Sequence, residues 1–256
     1  MPELKVALGV EGLNVLVIGG ARGIGEAVVR QMHSQGASVV VADIAAEAAA
    51  SLATELSSWG APVRHHQVDV ASEAGVEALV KTVRSELGSV DVLVHVAGIG
   101  SPSPVVELSL EQWQQTLAVN LTGPFLTTRA VIPSMVAQGF GRIVLISSQL
   151  AFLGSPGLSH YCATKAGLHG FLKSVARELG DSGVTINAVA PGPTDTPLFR
   201  ELPEEVREAI KATVPLGRIG EVDEIAPSVL LLASRSGGAF YTGAVLTPCG
   251  GHAMPA

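Results

Sequence analysis

One of the chain's two tyrosines stands in SHYCATKAG, residues 159–167, with Lys165 four places after Tyr161. On a helix, positions i and i+4 share a face, so phenol and ammonium would be neighbours. Free tyrosine ionises near pH 10. Service as a base near pH 7 needs a pKa lower by ~2–3 units, about 3–4 kcal/mol of preference for phenolate. An ammonium beside the ring can supply much of that in a partly desolvated cleft. Alone, the pair reads equally well as an ordinary helix ridge. Two further residues favour chemistry. Ser148 follows the apolar run RIVLIS, beside Ser147, and can donate a hydrogen bond to a carbonyl or a developing alkoxide. Asn120, in LAVNLTGPF, falls inside a long helical pattern. A buried amide there needs partners and can hold a water next to Lys165.

The elements that must position these groups are legible as apolar runs. Strand-like runs occupy 14–19, 38–43, 63–70, 91–97, 142–147, 184–190 and 243–248. Helical patterns fall between them at roughly 24–35, 45–58, 73–87, 109–138, 158–179 and 222–234. Short runs of this kind suit strands buried on both faces of a parallel sheet. Their alternation with helices predicts βαβ units: an α/β fold with a doubly wound, seven-stranded parallel sheet and helices on both faces. No repeat or linker divides residues 1–256, so a single domain is expected, with ligands at the carboxyl ends of its strands.

The first strand runs into VIGGARGIGEAV, which places Gly19, Gly23 and Gly25, with Arg22 and Ile24, at a strand-to-helix turn. Glycines there permit a tight bend, close approach of a pyrophosphate and contact of helix with strand, and the helix start favours phosphate. Packing glycines in a plain βα turn would look the same. Asp43, ending the second strand, decides for a dinucleotide, because an acid there can accept both ribose hydroxyls. It would repel a 2′-phosphate, so NAD is expected over NADP, although Arg22 pulls the other way. Asp69 and Val70 are candidates for adenine recognition, with helix capping as the other reading of Asp69.

Net charge of −7 argues against nucleic acid or an anionic membrane as partner. No apolar run approaches the ~18 residues needed to span a bilayer, and MPELKVALGVEG lacks the form of a signal peptide. Cys162 and Cys249 form neither CxxC nor metal spacing, which suits a reducing cytoplasm. The adjacent His65 and His66 would point to opposite faces of a strand, so no metal site is expected.

From Leu13 to Gly251 the chain resembles the short-chain dehydrogenases/reductases of about 250 residues. GGARGIG, Asp43, Asp69-Val70, Ala97-Gly98, Asn120, Ser148, YCATK and PGPTDT carry the resemblance in order and spacing. It implies a Rossmann fold with Tyr161 as general acid/base and Lys165 lowering its pKa and holding the nicotinamide ribose. Ser148 would orient the substrate oxygen and Asn120 support a proton relay through water. Pro191 and Gly192 would flank the nicotinamide, with the Thr194 backbone and Thr196 hydroxyl on its carboxamide. A homotetramer or homodimer is also implied. Three features depart from the family pattern: Ile18 stands for a usual threonine, His95-Val96 for two asparagines, and Cys249 for an acid. His95 is expected to take over bonding between strands.

The substrate is less clearly written. Leu150, Phe152, Leu153, Leu158, Leu198, Phe199 and Leu202 could line a mostly apolar pocket, with a covering segment within 191–220. A neutral, fairly hydrophobic secondary alcohol or ketone is the expected substrate. His160 would touch it or lie exposed on the other helix face. The competing readings are an NADPH-dependent 3-oxoacyl-[acyl-carrier-protein] reductase and a non-catalytic dinucleotide sensor.

Overall fold

A computed structural model describes residues 9–255, so most of the segment read above as lacking a signal peptide lies outside the described residues. Among the described residues there are seven strands: β1 (Asn14–Ile18), β2 (Ser38–Asp43), β3 (Arg64–Gln67), β4 (Val92–His95), β5 (Gly141–Ile146), β6 (Val184–Val189) and β7 (Val245–Leu246). All pairings are parallel, in the order β3-β2-β1-β4-β5-β6-β7. The order reverses between β1 and β4, which opens a crevice where loops leave in opposite directions.

Helices cover both faces: α1 (Gly23–Ser34), α2 (Ala46–Ser57), α3 (Glu73–Leu87), α4 (Leu110–Leu117), α5 (Gly123–Ala137), α6 (Leu150–Leu153), α7 (Ser159–Leu179), α8 (Pro197–Arg200), α9 (Glu204–Ala212) and α10 (Val222–Ala233). Side chains alternate along β1. Val15 and Val17 join the core beneath α1, α2 and α10, whereas Leu16 and Ile18 join that beneath α3, α5 and α7. That two-sided burial is why NVLVI reads as a continuous apolar run. Each such side chain contributes about 1.5–3 kcal/mol by leaving water. Helix α3 shows the local logic: the Ser72 hydroxyl accepts from Gly75 N–H, Val76, Leu79, Val80 and Val83 are buried, and Gly88 at φ 82° ends it.

The pattern over 109–138 is not one regular helix. Between α4 and α5 the residues Ala118–Thr122 form a π turn, with Asn120 buried inside it. Pro124 has no N–H to give the carbonyl four residues back, that of Asn120, so the ladder widens there. The span 191–220 also holds two short helices, α8 and α9, that periodicity did not reveal.

Candidate functional site

The glycine turn occupies the crevice at the strand-order reversal. Gly19 has φ 76°, and a Cβ on it would lie 2.5 Å from Ala97 N at the end of β4. A Cβ on Gly25 would fall 1.9 Å from the Gly19 carbonyl oxygen. Gly23, at φ 58°, faces Thr196 and Pro197 across the crevice. No side chain caps α1 at Arg22, which leaves its first N–H groups fitted to an anion. Asp43 is buried, its two carboxylate oxygens accepting from Ala21 N–H and Ala45 N–H, each at 3.0 Å. It therefore grips the turn and still has lone pairs to spare.

Asp69 is exposed and accepts from Ala71 N–H at 2.9 Å. Ser72, not Asp69, is the cap of α3, because the helix begins three residues beyond the capping reading of Asp69. Val70 is buried and packs against Gly123, where the π turn passes into α5.

The proton-handling candidates converge at the ends of β4 and β5. Lys165 is 3% exposed and donates to the Ile146 carbonyl at 2.8 Å. Its Nζ lies 5.6 Å from the Tyr161 ring centroid. A Cβ on Gly98 would sit 3.3 Å from that Nζ and 3.4 Å from Asn120 Oδ1, so the loop after β4 passes between them. Asn120 Oδ1 accepts from Ile99 N–H at 2.8 Å, and its Nδ2 donates to the Ile99 carbonyl at 2.7 Å. The amide thus pins the loop after β4. Ser147 binds the Lys165 carbonyl at 3.1 Å and meets His169 Nε2 at 2.8 Å, whereas Ser148, whose Oγ accepts from Leu150 N–H, is the hydroxyl beside the Tyr161 phenol.

The charges differ from the sequence expectation. Burial pushes the Tyr161 phenol above its ordinary 10, opposed by the hydrogen bond with Ser148 and aided by Cys162. Burial also brings the Lys165 ammonium down to about 8, which leaves it mostly charged at pH 7. His95, by contrast, is neutral at pH 7, pushed down to about 3 by burial and by Lys165. It does not tie strands together: its Nδ1 meets Thr127 Oγ1 of α5 at 2.9 Å, because its side chain points to the helix face. Ile18 is core, and Cys249 closes a turn with Ala253 while its main chain packs on Gly192. Cys162 and Cys249 are both free thiols.

The covering residues surround a wall of the same region. Thr194 Oγ1 donates to the Gly192 carbonyl, and the Thr196 hydroxyl caps α8 by accepting from Phe199 N–H. Pro191 accepts from Gln149 N–H. Leu150 opens α6, with its N–H on Ser148 Oγ at 3.1 Å, and Leu158 precedes α7. Phe199 is half-buried, whereas Leu198, Phe152 and Leu153 are exposed, and Phe152 stacks on His169 at 4.7 Å. His160 is fully buried rather than exposed, because it falls on the inward face of α7 with Thr164 and Leu168. Gly100 was not singled out in the sequence, yet a Cβ there would lie 2.8 Å from Tyr161 Cδ2. The only signal was a second glycine after Ala97-Gly98.

A cavity of about 590 Å³ between α3 and α5 shares no residue with this region. A smaller one of about 160 Å³, lined by Pro193, Leu216, Cys249 and Gly250 among others, lies behind the Gly192 loop.

Comparison with known proteins gives this geometry a family. A family model described as enoyl-(acyl carrier protein) reductase matches residues 19–253. The (2S)-[(R)-hydroxy(phenyl)methyl]succinyl-CoA dehydrogenase subunit BbsD of Thauera aromatica is 39% identical over 96% of this chain and 99% of its own. The chain belongs to the short-chain dehydrogenase/reductase family. It is an oxidoreductase of that family, whose members bind a nicotinamide dinucleotide. The 3-oxoacyl-[acyl-carrier-protein] reductase FabG of Aquifex aeolicus is 37% identical, over 94% of this chain and 97% of its own. Among solved structures, a dehydrogenase/reductase from Sinorhizobium meliloti 1021 superposes with TM-score 0.89 at 34% identity, covering 96% of this chain and 97% of its own. The crystal structure of gox2181 gives TM-score 0.93 at 33% identity, with the same coverage. None of the described helices is long and apolar enough to cross a membrane.

Proposed function

We propose that this oxidoreductase interconverts a neutral, fairly hydrophobic secondary alcohol and its ketone with NAD, using Tyr161 as general acid/base. The observation that carries the reading is the meeting of Ser148, Tyr161 and Lys165 at the end of β5, beside the loop after β4 that abuts the glycine turn. The uncapped start of α1 with Gly19, Arg22, Gly23, Ile24 and Gly25 fits a diphosphate. Asp43 suits two ribose hydroxyls and repels a 2′-phosphate. Asp69 and Val70 would face adenine; Ala97, Gly98, Pro191, Gly192, Thr194 and Thr196 would face the nicotinamide side.

When bound, the nicotinamide ring accepts or returns the hydride. Tyr161 Oη takes the proton from the alcohol, or gives it to the developing alkoxide. Ser148 Oγ donates a hydrogen bond to the same oxygen, and that bond strengthens as charge builds on it. Lys165, charged at pH 7, supplies the positive field a phenolate needs. Asn120 holds the Ile99 main chain and supports a relay through water. Leu150, Leu158, Leu198 and Phe199 cover the substrate, with 191–220 as the closing segment. The protein works in a reducing cytoplasm as a homodimer or homotetramer.

The 3-oxoacyl-[acyl-carrier-protein] reductases among the relatives favour a second reading, NADPH-dependent reduction of a carrier-bound ketone. Titration with NADH and NADPH, then a ketone panel with each, separates the two. Tighter NADH binding and turnover of free ketones are expected; preference for NADPH would defeat the Asp43 argument. Tyr161→Phe should cut turnover by about three orders of magnitude or more with nucleotide affinity intact. Near-normal turnover would sink the mechanism.

A further inference from the structure

His252, in the C-terminal segment, engages both of its ring nitrogens. Nδ1 lies 2.8 Å from Gln149 Nε2, and Nε2 lies 3.1 Å from Thr213 Oγ1. With Gln149 Nε2 set against Nδ1, the protons along this chain take one assignment. An amide NH2 only donates, so Nδ1 accepts, and Nε2 carries the hydrogen it gives to Thr213. The Thr213 hydroxyl passes its own to the Ile210 carbonyl at 2.6 Å.

The two ends of the chain belong to different parts of the site. Gln149 directly follows Ser148, is 4% exposed, and has a buried Oε1 with no partner. Among the described residues, the contact with His252 Nδ1 is the one hydrogen bond its side-chain amide makes. Thr213 ends α9, within the proposed closing segment. Neither α8 nor α9 has a fully buried residue; the segment is anchored just beyond α9, where Val214 is buried against Gly250 and Pro215 packs on Gly251, so the helices themselves are held mainly from that root. Polar ties act at the same root. Leu216 N–H donates to the Gly250 carbonyl at 3.2 Å and Gly220 N–H to the Pro193 carbonyl at 2.9 Å. Among the described residues, the His252 tie alone continues through side chains to the residue beside Ser148.

We propose that His252 is a positioning residue for substrate binding, clamping the end of α9 to Gln149 and so fixing the closing segment against the Ser148 wall. The proposal rests on the function given above, in which 191–220 covers the substrate. It is tested in the full-length protein with His252→Asn, which keeps an acceptor near Gln149, and His252→Gln, which reaches for Thr213 alone. Thr213→Val removes the far end without changing size.

Each variant should raise KM for the ketone about tenfold while leaving kcat and the NADH dissociation constant within about twofold. His252→Asn combined with Thr213→Val should be no worse than either alone, since both break one link. Amide exchange over 197–213 should quicken in every variant, a readout that needs no turnover. An inactive wild-type protein would therefore defeat the proposed reaction and still leave the clamp measurable. Unchanged KM with unchanged exchange would overturn the proposal. So would parallel losses of nucleotide affinity and melting temperature, which would make His252 plain packing.

Discussion

Lys165 carries a desolvation cost in the folded protein. Its ammonium is 3% exposed, donates to the Ile146 carbonyl, and is brought down by burial from 10.5 to about 8. The unfolded chain holds that proton more tightly than the folded one. Stability from this group therefore rises with pH between about 8 and 10.5, by up to about 1.4 kcal/mol per unit, and the full penalty stands below 8. Lys165→Met removes the charge and leaves one carbonyl unpaired. The expected outcome is a variant about 1–2 kcal/mol more stable at pH 7, without turnover. Its advantage should shrink as pH rises to 10.5. Urea unfolding of both proteins at pH 7 and pH 10 checks this, and a less stable variant at pH 7 would contradict it. The phenol gives the complementary lesson. Tyr161 sits above its ordinary value because its surroundings are dry, and the helical spacing of Tyr161 and Lys165 could not show that. Spacing gives adjacency, whereas the sign of a pKa shift depends on the solvent that folding removes.

At the scale of elements, the sites written into one segment were readable and those made by two were not. The candidate turn Gly19–Gly25, the acid ending β2 and the Tyr161–Lys165 face of α7 each lie within one element or its junction, where residue type and spacing point to them. The bounds of α3 were read without error because a cap, an apolar stripe and a terminal glycine all agree there. Asn120 was placed in a helix, but its π turn arises from Pro124 and from bonding to Ile99 across the fold. Helices α8 and α9 bury no residue fully, and the stripe of α9 is no more than Val206 and Ile210 among charges, too short to be read as a helix from periodicity. Gly100 is the clearest case of a two-segment feature, being a loop residue whose importance is the ring it faces. Gly100→Ala sets a methyl 2.8 Å from Tyr161 Cδ2 and must shift the ring or the loop. Turnover should fall about 10- to 100-fold with NADH affinity within twofold, as expected when a reacting group is misplaced by a fraction of an ångström. Steady-state kinetics with parallel fluorescence titration tests it. Wild-type turnover would show that the loop yields freely.

At the scale of the whole molecule, charge separates the two proposed substrates. The chain carries a net −7, and the carrier proteins that serve 3-oxoacyl reductases are acidic. Two acidic bodies repel over about 10 Å at 0.1 M salt, so a carrier must find a local basic patch. Lys81, Arg84 and Arg129 line the groove between α3 and α5. Arg129, however, is already paired with Glu73 and Glu77, and the groove shares no residue with the site. A small neutral ketone meets no such barrier. Its kcat/KM should stay flat from 20 to 300 mM salt (roughly a threefold change in Debye length or more), whereas that of a carrier-linked ketone should rise as screening relieves repulsion. Assaying both substrates across that range decides between them. A carrier-linked rate that starts higher and falls steeply with salt would mean that a basic surface steers the carrier in. The 3-oxoacyl reading would then displace the secondary-alcohol reading, whatever the apolar character of Leu150, Leu158 and Phe199 suggests about the pocket.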